Sequence, residues 1–141
     1  MEKAKVYFTS DISSDGLIRL YKTLNKELTG KVAVKLHSGE DGNQNYLRPE
    51  FMKDLVELIN GRVVETNTAY PETVRDTTEG HRKLLDKHGW SKYYDVDIMD
   101  EDGEKALPVK NYKHLKYNYV GTHLDNYNSM LVLAHFKGHP A

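Results

Sequence analysis

"KVAVKLHSGEDGNQNYLRPEFMKDLVELINGRVVETN" (31–67) decides the fold. It opens with a β-branched, apolar run, passes through a polar loop, and then recurs in apolar residues at helical spacing: Phe51, Met52, Leu55, Val56 and Ile59. Pro49 suits the first turn of that helix and Gly61 its end, and "RVVETN" (62–67) supplies a second β-branched run. A strand, a helix and a strand joined this way form a crossover unit, which requires two parallel strands in one sheet.

The same alternation extends outward. "KVYFTS" (5–10) reads as a preceding strand. Ser13, Ser14 and Asp15 offer capping oxygens to a helix carrying Leu17, Leu20, Tyr21, Leu24 and Leu28, with Gly30 as its stop. "DTTEGHRKLLDKHG" (76–89) reads as a helix opened by the Asp76 to Glu79 spacing and closed by Gly89. "DVDIMDEDGEKALPV" (95–109) changes the pattern to two short alternating runs about Asp102-Gly103, a hairpin turn pair. "HLKYNYVGTHL" (114–124) alternates as an extended segment, and "MLVLAHF" (130–136) is a nearly continuous apolar strand. The predicted class is α/β: a mainly parallel sheet with helices on both faces, plus a short antiparallel hairpin near 95–109, in a single domain over 1–141.

Composition narrows the functions. The chain has 20 Lys and Arg against 21 Asp and Glu, so no global field draws nucleic acid or an anionic membrane. It has no Cys, which excludes disulfides, a thiolate zinc site, a Cys nucleophile and a cysteine-held iron–sulfur cluster. The opening "MEKAKVYFTS" lacks an apolar signal core and no run approaches a membrane span, so a cytoplasmic location is expected. A hydrophobic share of 38% with ten tyrosines suggests a modest core, or a surface that another protein completes.

In open α/β sheets ligands gather beyond the carboxyl ends of the strands. Two strand-end segments there are rich in chemistry. "HSGEDGNQNYLRP" (37–49) combines an imidazole, carboxylates, amides, an arginine and glycines just before a helix N-terminus, a composition suited to a phosphate or carboxylate. It contains neither dinucleotide nor phosphate-loop glycine patterns, and its Gly, Asn and Asp equally suit turns and caps. "HFKGHPA" (135–141) holds His135 and His139 at a spacing that would converge on one ion in a helix, but Gly138 and Pro140 break any helix. If the second and last strands are neighbours, His37, Glu40, His135 and His139 supply nitrogen and oxygen ligands for a divalent metal. "KNYKHLKYNY" (110–119) interleaves lysine and tyrosine; it reads as a solvated edge in preference to a nucleic-acid surface. His81, His88 and His114 read as structural, and Trp90, Tyr93 and Tyr94 as packing residues.

"VAVKLHSGEDGNQNYLRPEF", "VETNTAY", "KHLKYNYVGTHL" and "MLVLAHFKGH", in this order, resemble the domain of unknown function 362 family, whose members are often joined to a ferredoxin-type module. The resemblance runs from Val6 to His139 and implies site positions at His37, Gly39, Glu40, Gly42, Asn43, Arg48, Asn67, Thr68, His135, Lys137 and His139. Within that set, His37 and Glu40 suit acid–base or ligand roles, Arg48 and Lys137 suit an anionic group, and Asn43 and Asn67 suit its orientation. The resemblance also implies that the chain is the amino-terminal portion of a longer family protein. Its expected partners are another copy of itself or an iron–sulfur protein, with no cluster on this chain, no membrane and no nucleic acid. A binding or assembly module that docks a second half stands as the alternative to an enzyme.

Overall fold

The computed structural model describes residues 3–136 and 138. Helix α1 (Ser14–Thr23) precedes strand β1 (Val32–Lys35); helix α2 (Pro49–Leu58) and strand β2 (Gly61–Glu65) complete the crossover unit, and helix α3 (Thr78–Lys87) follows. Strand β3 (Asp97–Ile98), the pair β4 (Glu104–Pro108) and β5 (Tyr117–Gly121), and β6 (Ser129–Val132) finish the order, with 3₁₀ turns at Trp90–Lys92 and Thr122–Asn126. The main sheet has the order β3-β2-β1-β6, every pairing parallel, with helices flanking it; β4 and β5 form a separate antiparallel sheet. Among the described residues no helix is long and apolar enough to cross a membrane.

The two-residue period of the strands divides the core between two faces. Val34, Leu36, Val63 and Ile98 meet Met52 and Val56 of α2, Leu85 of α3 and the fully buried Trp90. On the other face the alternate residues Ala33 and Val64 meet Met99, Leu124 and Tyr127, so the turn at Thr122–Asn126 covers that side. The hydroxyl oxygens of Ser13 and Thr77 accept the Gly16 and Gly80 amide hydrogens and open α1 and α3.

Several expectations need correction. Residues 5–10 form no strand: Val6 and Phe8 are 89% and 90% exposed, so ordering this segment would bury too little apolar surface to offset its entropy. Helix α1 ends at Thr23 because Leu24 caps it and Asn25 takes a left-handed φ of 46°, well before Gly30. Asn60, at φ 48°, reverses the chain after α2, while Gly61 begins β2. Thr77 rather than Asp76 caps α3. The antiparallel element expected near 95–109 is present, but β3 joins the parallel sheet and β4 takes β5 as its partner. The last apolar run leaves the sheet after Val132, four residues before Phe136.

This packing predicts that Met52→Ala, at a fully buried position, lowers unfolding free energy by about 2–5 kcal/mol in urea titration. Val132→Ala, on the open edge strand, should change it by no more than about 0.5 kcal/mol.

Candidate functional site

The parallel register of β1 with β6 brings the segments after these strands together, as the pairing of Lys35 with Val132 requires. Beyond the carboxyl edge lies a cleft of about 670 Å³, into which His37, Glu40, Asn43, Tyr46, Arg75 and His135 open, with Gly39, Asn45 and Tyr70 completing its wall. Five expected site residues therefore share one cleft: His37, Gly39, Glu40, Asn43 and His135.

Beneath the cleft sits Glu65, the last residue of β2, only 1% exposed. Its Oε2 accepts from Lys35 Nζ at 2.6 Å and from the Thr66 amide at 3.2 Å. Its Oε1 accepts from the Ser38 amide at 2.8 Å and the Ser38 hydroxyl at 3.0 Å, and Arg75 Nη1 lies 3.7 Å away. Burial alone would raise the Glu65 carboxyl, but Lys35 and the Ser38 amide outweigh it and hold it below the ordinary glutamate value. Ser38 Oγ also lies 3.2 Å from His81 Nε2, and the other nitrogen of that imidazole is 3.1 Å from Asn67 Oδ1. Burial drives His81 down to about 4, so it is neutral at pH 7.

Arg75, 7% exposed, links this network to the cleft. Its Nε and Nη2 engage both oxygens of Glu40, a two-pronged pair that holds the Glu40 carboxyl below its ordinary value. Arg75 Nη2 stands 3.5 Å from His37 Nε2. The Gly39 amide donates to His37 Nδ1 at 2.9 Å, so the neutral ring carries its proton on Nε2, 3.5 Å from Glu40 Oε1. Partial burial, then Arg75, lower the His37 pKa. Gly39 is needed here: its φ is +100°, and a Cβ would stand 2.6 Å from the Tyr46 ring.

The other expected positions are distributed around this centre. Arg48 lies at the rim with its guanidinium 4.1 Å above Tyr46, and it donates to Gln44 rather than to a carboxylate. Gly42, at φ +75°, serves the exposed turn at 41–42. Asn67 and Thr68 face a different cleft, beside Asp100 and Tyr119; Asn67 positions His81 and donates to Thr78 Oγ1 at 3.0 Å. Lys137 and His139 lie outside the described residues. Trp90 packs in the core and donates to Ser38 O at 3.0 Å, fixing the same loop from below.

As a metal centre, the described part of the expected set has competing commitments. Both Glu40 oxygens are on Arg75, and the unprotonated nitrogen of His37 is on Gly39. Among the described residues, the three metal-ligating groups with atoms all within 4.8 Å of one another are Asp97, Glu101 and His123. His123 Nδ1 lies 2.7 Å from Asp97 and its Nε2 2.8 Å from Asp102, and these carboxylates raise it to about 8. At neutral pH a proton therefore holds that cluster together, and a divalent cation would have to displace it.

The sequence left Glu65, Arg75 and Ser38 unassigned, and it read His81 as structural without naming its partners Ser38 and Asn67. One signal was available: Glu65 is a carboxylate at the end of an otherwise apolar buried strand, which demands a buried partner.

Compared with known proteins, residues 32–141 match the family model described as a domain of unknown function, DUF362. The chain belongs to the DUF362 family. That match contains the cleft, the Glu65 network and the whole parallel sheet. No curated protein and no solved structure matches the chain.

Removing the Glu65 carboxylate leaves Lys35, Arg75 and the Ser38 amide without their buried acceptor. Glu65→Ala should lower the unfolding free energy by about 3–5 kcal/mol in urea titration, whereas Glu40→Ala, at the half-exposed end, should cost much less. The imidazoles set the pH profile. His81 and His37 are depressed when folded, so the unfolded chain binds more protons and stability falls as pH drops below about 6.5 toward 4. His123 is raised, so its contribution is complete below 6.5 and is lost as pH rises through about 8. Urea midpoints measured against pH should peak near 6.5; His81→Gln should flatten the acid limb above pH 4.5, and His123→Gln the alkaline limb.

Proposed function

We propose that the carboxyl-edge cleft binds a small anion, a phosphate or carboxylate group, and that His37 presents its Nε2–H to it. The supporting observation is Arg75: a buried guanidinium held rigid between Glu65 and Glu40 at the base of an open cleft. The Glu40 carboxylate, half exposed, takes the guanidinium fork that a ligand carboxylate or phosphate would take, and it can swing out toward solvent when one arrives. Arg48 adds a second guanidinium at the rim whose hydrogen bonds go to neutral Gln44, so the entrance is cationic. The Asn43 and Asn45 amides can orient the bound group, and Tyr46 and Tyr70 provide walls for an organic portion. His37 is neutral at physiological pH and lies within reach of Glu40, a pair able to pass a proton to or from a ligand. The commitments of His37 and Glu40 favour this anion reading over a divalent metal at the same place.

The test is isothermal titration calorimetry of the chain with inorganic phosphate, acetate and malonate, alongside metal analysis. Arg48→Ala and His37→Gln alter the rim and wall without removing any hydrogen bond to Glu65. Each should weaken binding about tenfold, the value of one charge-assisted contact, while leaving the urea midpoint near wild type. Absence of heat with all three anions, or wild-type affinity in both variants, would contradict the proposal. So would a stoichiometric divalent ion lost on His37→Gln.

A further inference from the structure

The β4–β5 ribbon stands apart from the main sheet and plays no part in the cleft of His37. Between Glu104 and Asp125 the chain contains no Asp or Glu but has Lys105, Lys110, Lys113 and Lys116. Lys105 pairs with Asp125, whereas the other three lysines form no ion pair among the described residues. They occupy the connection between β4 and β5, so an otherwise neutral protein carries a local concentration of positive charge at the tip of a ribbon.

The pairing register determines which side chains accompany that charge. Tyr119 stands opposite Ala106 and Tyr117 opposite Pro108, so both rings rise from one face beside small or compact neighbours. The alternate residues Lys105, Leu107 and Val120 are partly buried on the inner face. Tyr117 is 52% exposed, Tyr119 is 61% exposed, and Tyr112 in the connection is 53% exposed. Residues two apart on a strand are separated by about 7 Å, which matches the spacing of successive bases in an extended single strand. Glu104, at the base of the ribbon, bounds the surface on one side.

We infer that the outer face of the β4–β5 ribbon binds single-stranded nucleic acid, with Tyr117 and Tyr119 stacking on bases and Lys110, Lys113 and Lys116 contacting phosphates. Charge complementarity selects a polyanion, and paired, solvent-facing rings select one with flat bases over an acidic protein surface. The even total charge argued against this partner, but it averages over the molecule, whereas residues 105–124 contain four lysines and no carboxylate, and Asp76, Asp100 and Glu104 bound the surface where Tyr119 meets the neighbouring cleft.

Fluorescence anisotropy with a labelled twelve-nucleotide oligothymidylate and a labelled oligoglutamate peptide tests this. The nucleotide should bind, with log affinity falling against log salt with a slope of about −2, as three phosphate contacts on a single strand require. Tyr117→Ala with Tyr119→Ala should weaken binding at least tenfold and leave the slope in place; changing the three lysines to Gln should remove the slope. All five positions lie outside the core, so circular dichroism and urea midpoints should match wild type. Failure to bind at low salt, insensitivity to the double tyrosine variant, or equal binding of oligoglutamate would overturn the inference.

Discussion

The carboxylate of Glu65 is the constraint around which this protein is arranged. Withdrawing an ionised carboxylate from water carries a penalty of several kcal/mol, which neighbouring charges and amides must offset within the fold. Here the offset comes from three separate segments: Lys35 at the end of β1, Ser38 in the loop that follows, and Arg75 in the connection to α3. Satisfying one buried charge thus fixes the end of β1 and its following loop against the end of β2 and its connection to α3. Trp90 and His88 hold the Ser38 carbonyl from the opposite direction, which leaves the loop little freedom.

The cleft inherits its chemistry from that network. Arg75 is rigid because its far side is taken up with Glu65, and its near side orders Glu40 and depresses His37. Titratable groups with opposing influences lie within a few ångströms of one another, an arrangement that stability alone does not require. The Asp97, His123 and Asp102 group has the opposite character: its imidazole is stabilised in the protonated form, and it ties the turn after β5 to the sheet.

Much of the architecture was legible in the sequence where local period and burial agree. The 31–67 crossover unit was readable because β1, α2 and β2 each bury the face their pattern marks. The segment 5–10 has the same β-branched composition and fails, because strand propensity expresses a packed environment and this segment lacks one. The adjacency of β1 and β6 could be posed only as a condition, since contacts separated by nearly a hundred residues leave no local trace. Once that adjacency holds, His37 and His135 share a cleft. Arg75 was missed because nothing in "PETVRDTT" distinguishes a buried arginine from a solvated one; only the folded position of Glu65 does.

Everything above the sheet edge depends on Glu65 being an ionised, fully paired carboxylate beneath the cleft. Carbon-13 detected NMR titration of its side chain tests this most directly. Glu65 should titrate below 4.5, and the amide shifts of Ser38 and Thr66 should move with it, since both donate to its oxygens. A Glu65 carboxyl that takes up its proton above 4.5, with Ser38 and Thr66 unmoved, would mean a neutral acid in an apolar site and no buried charge to organise the cleft.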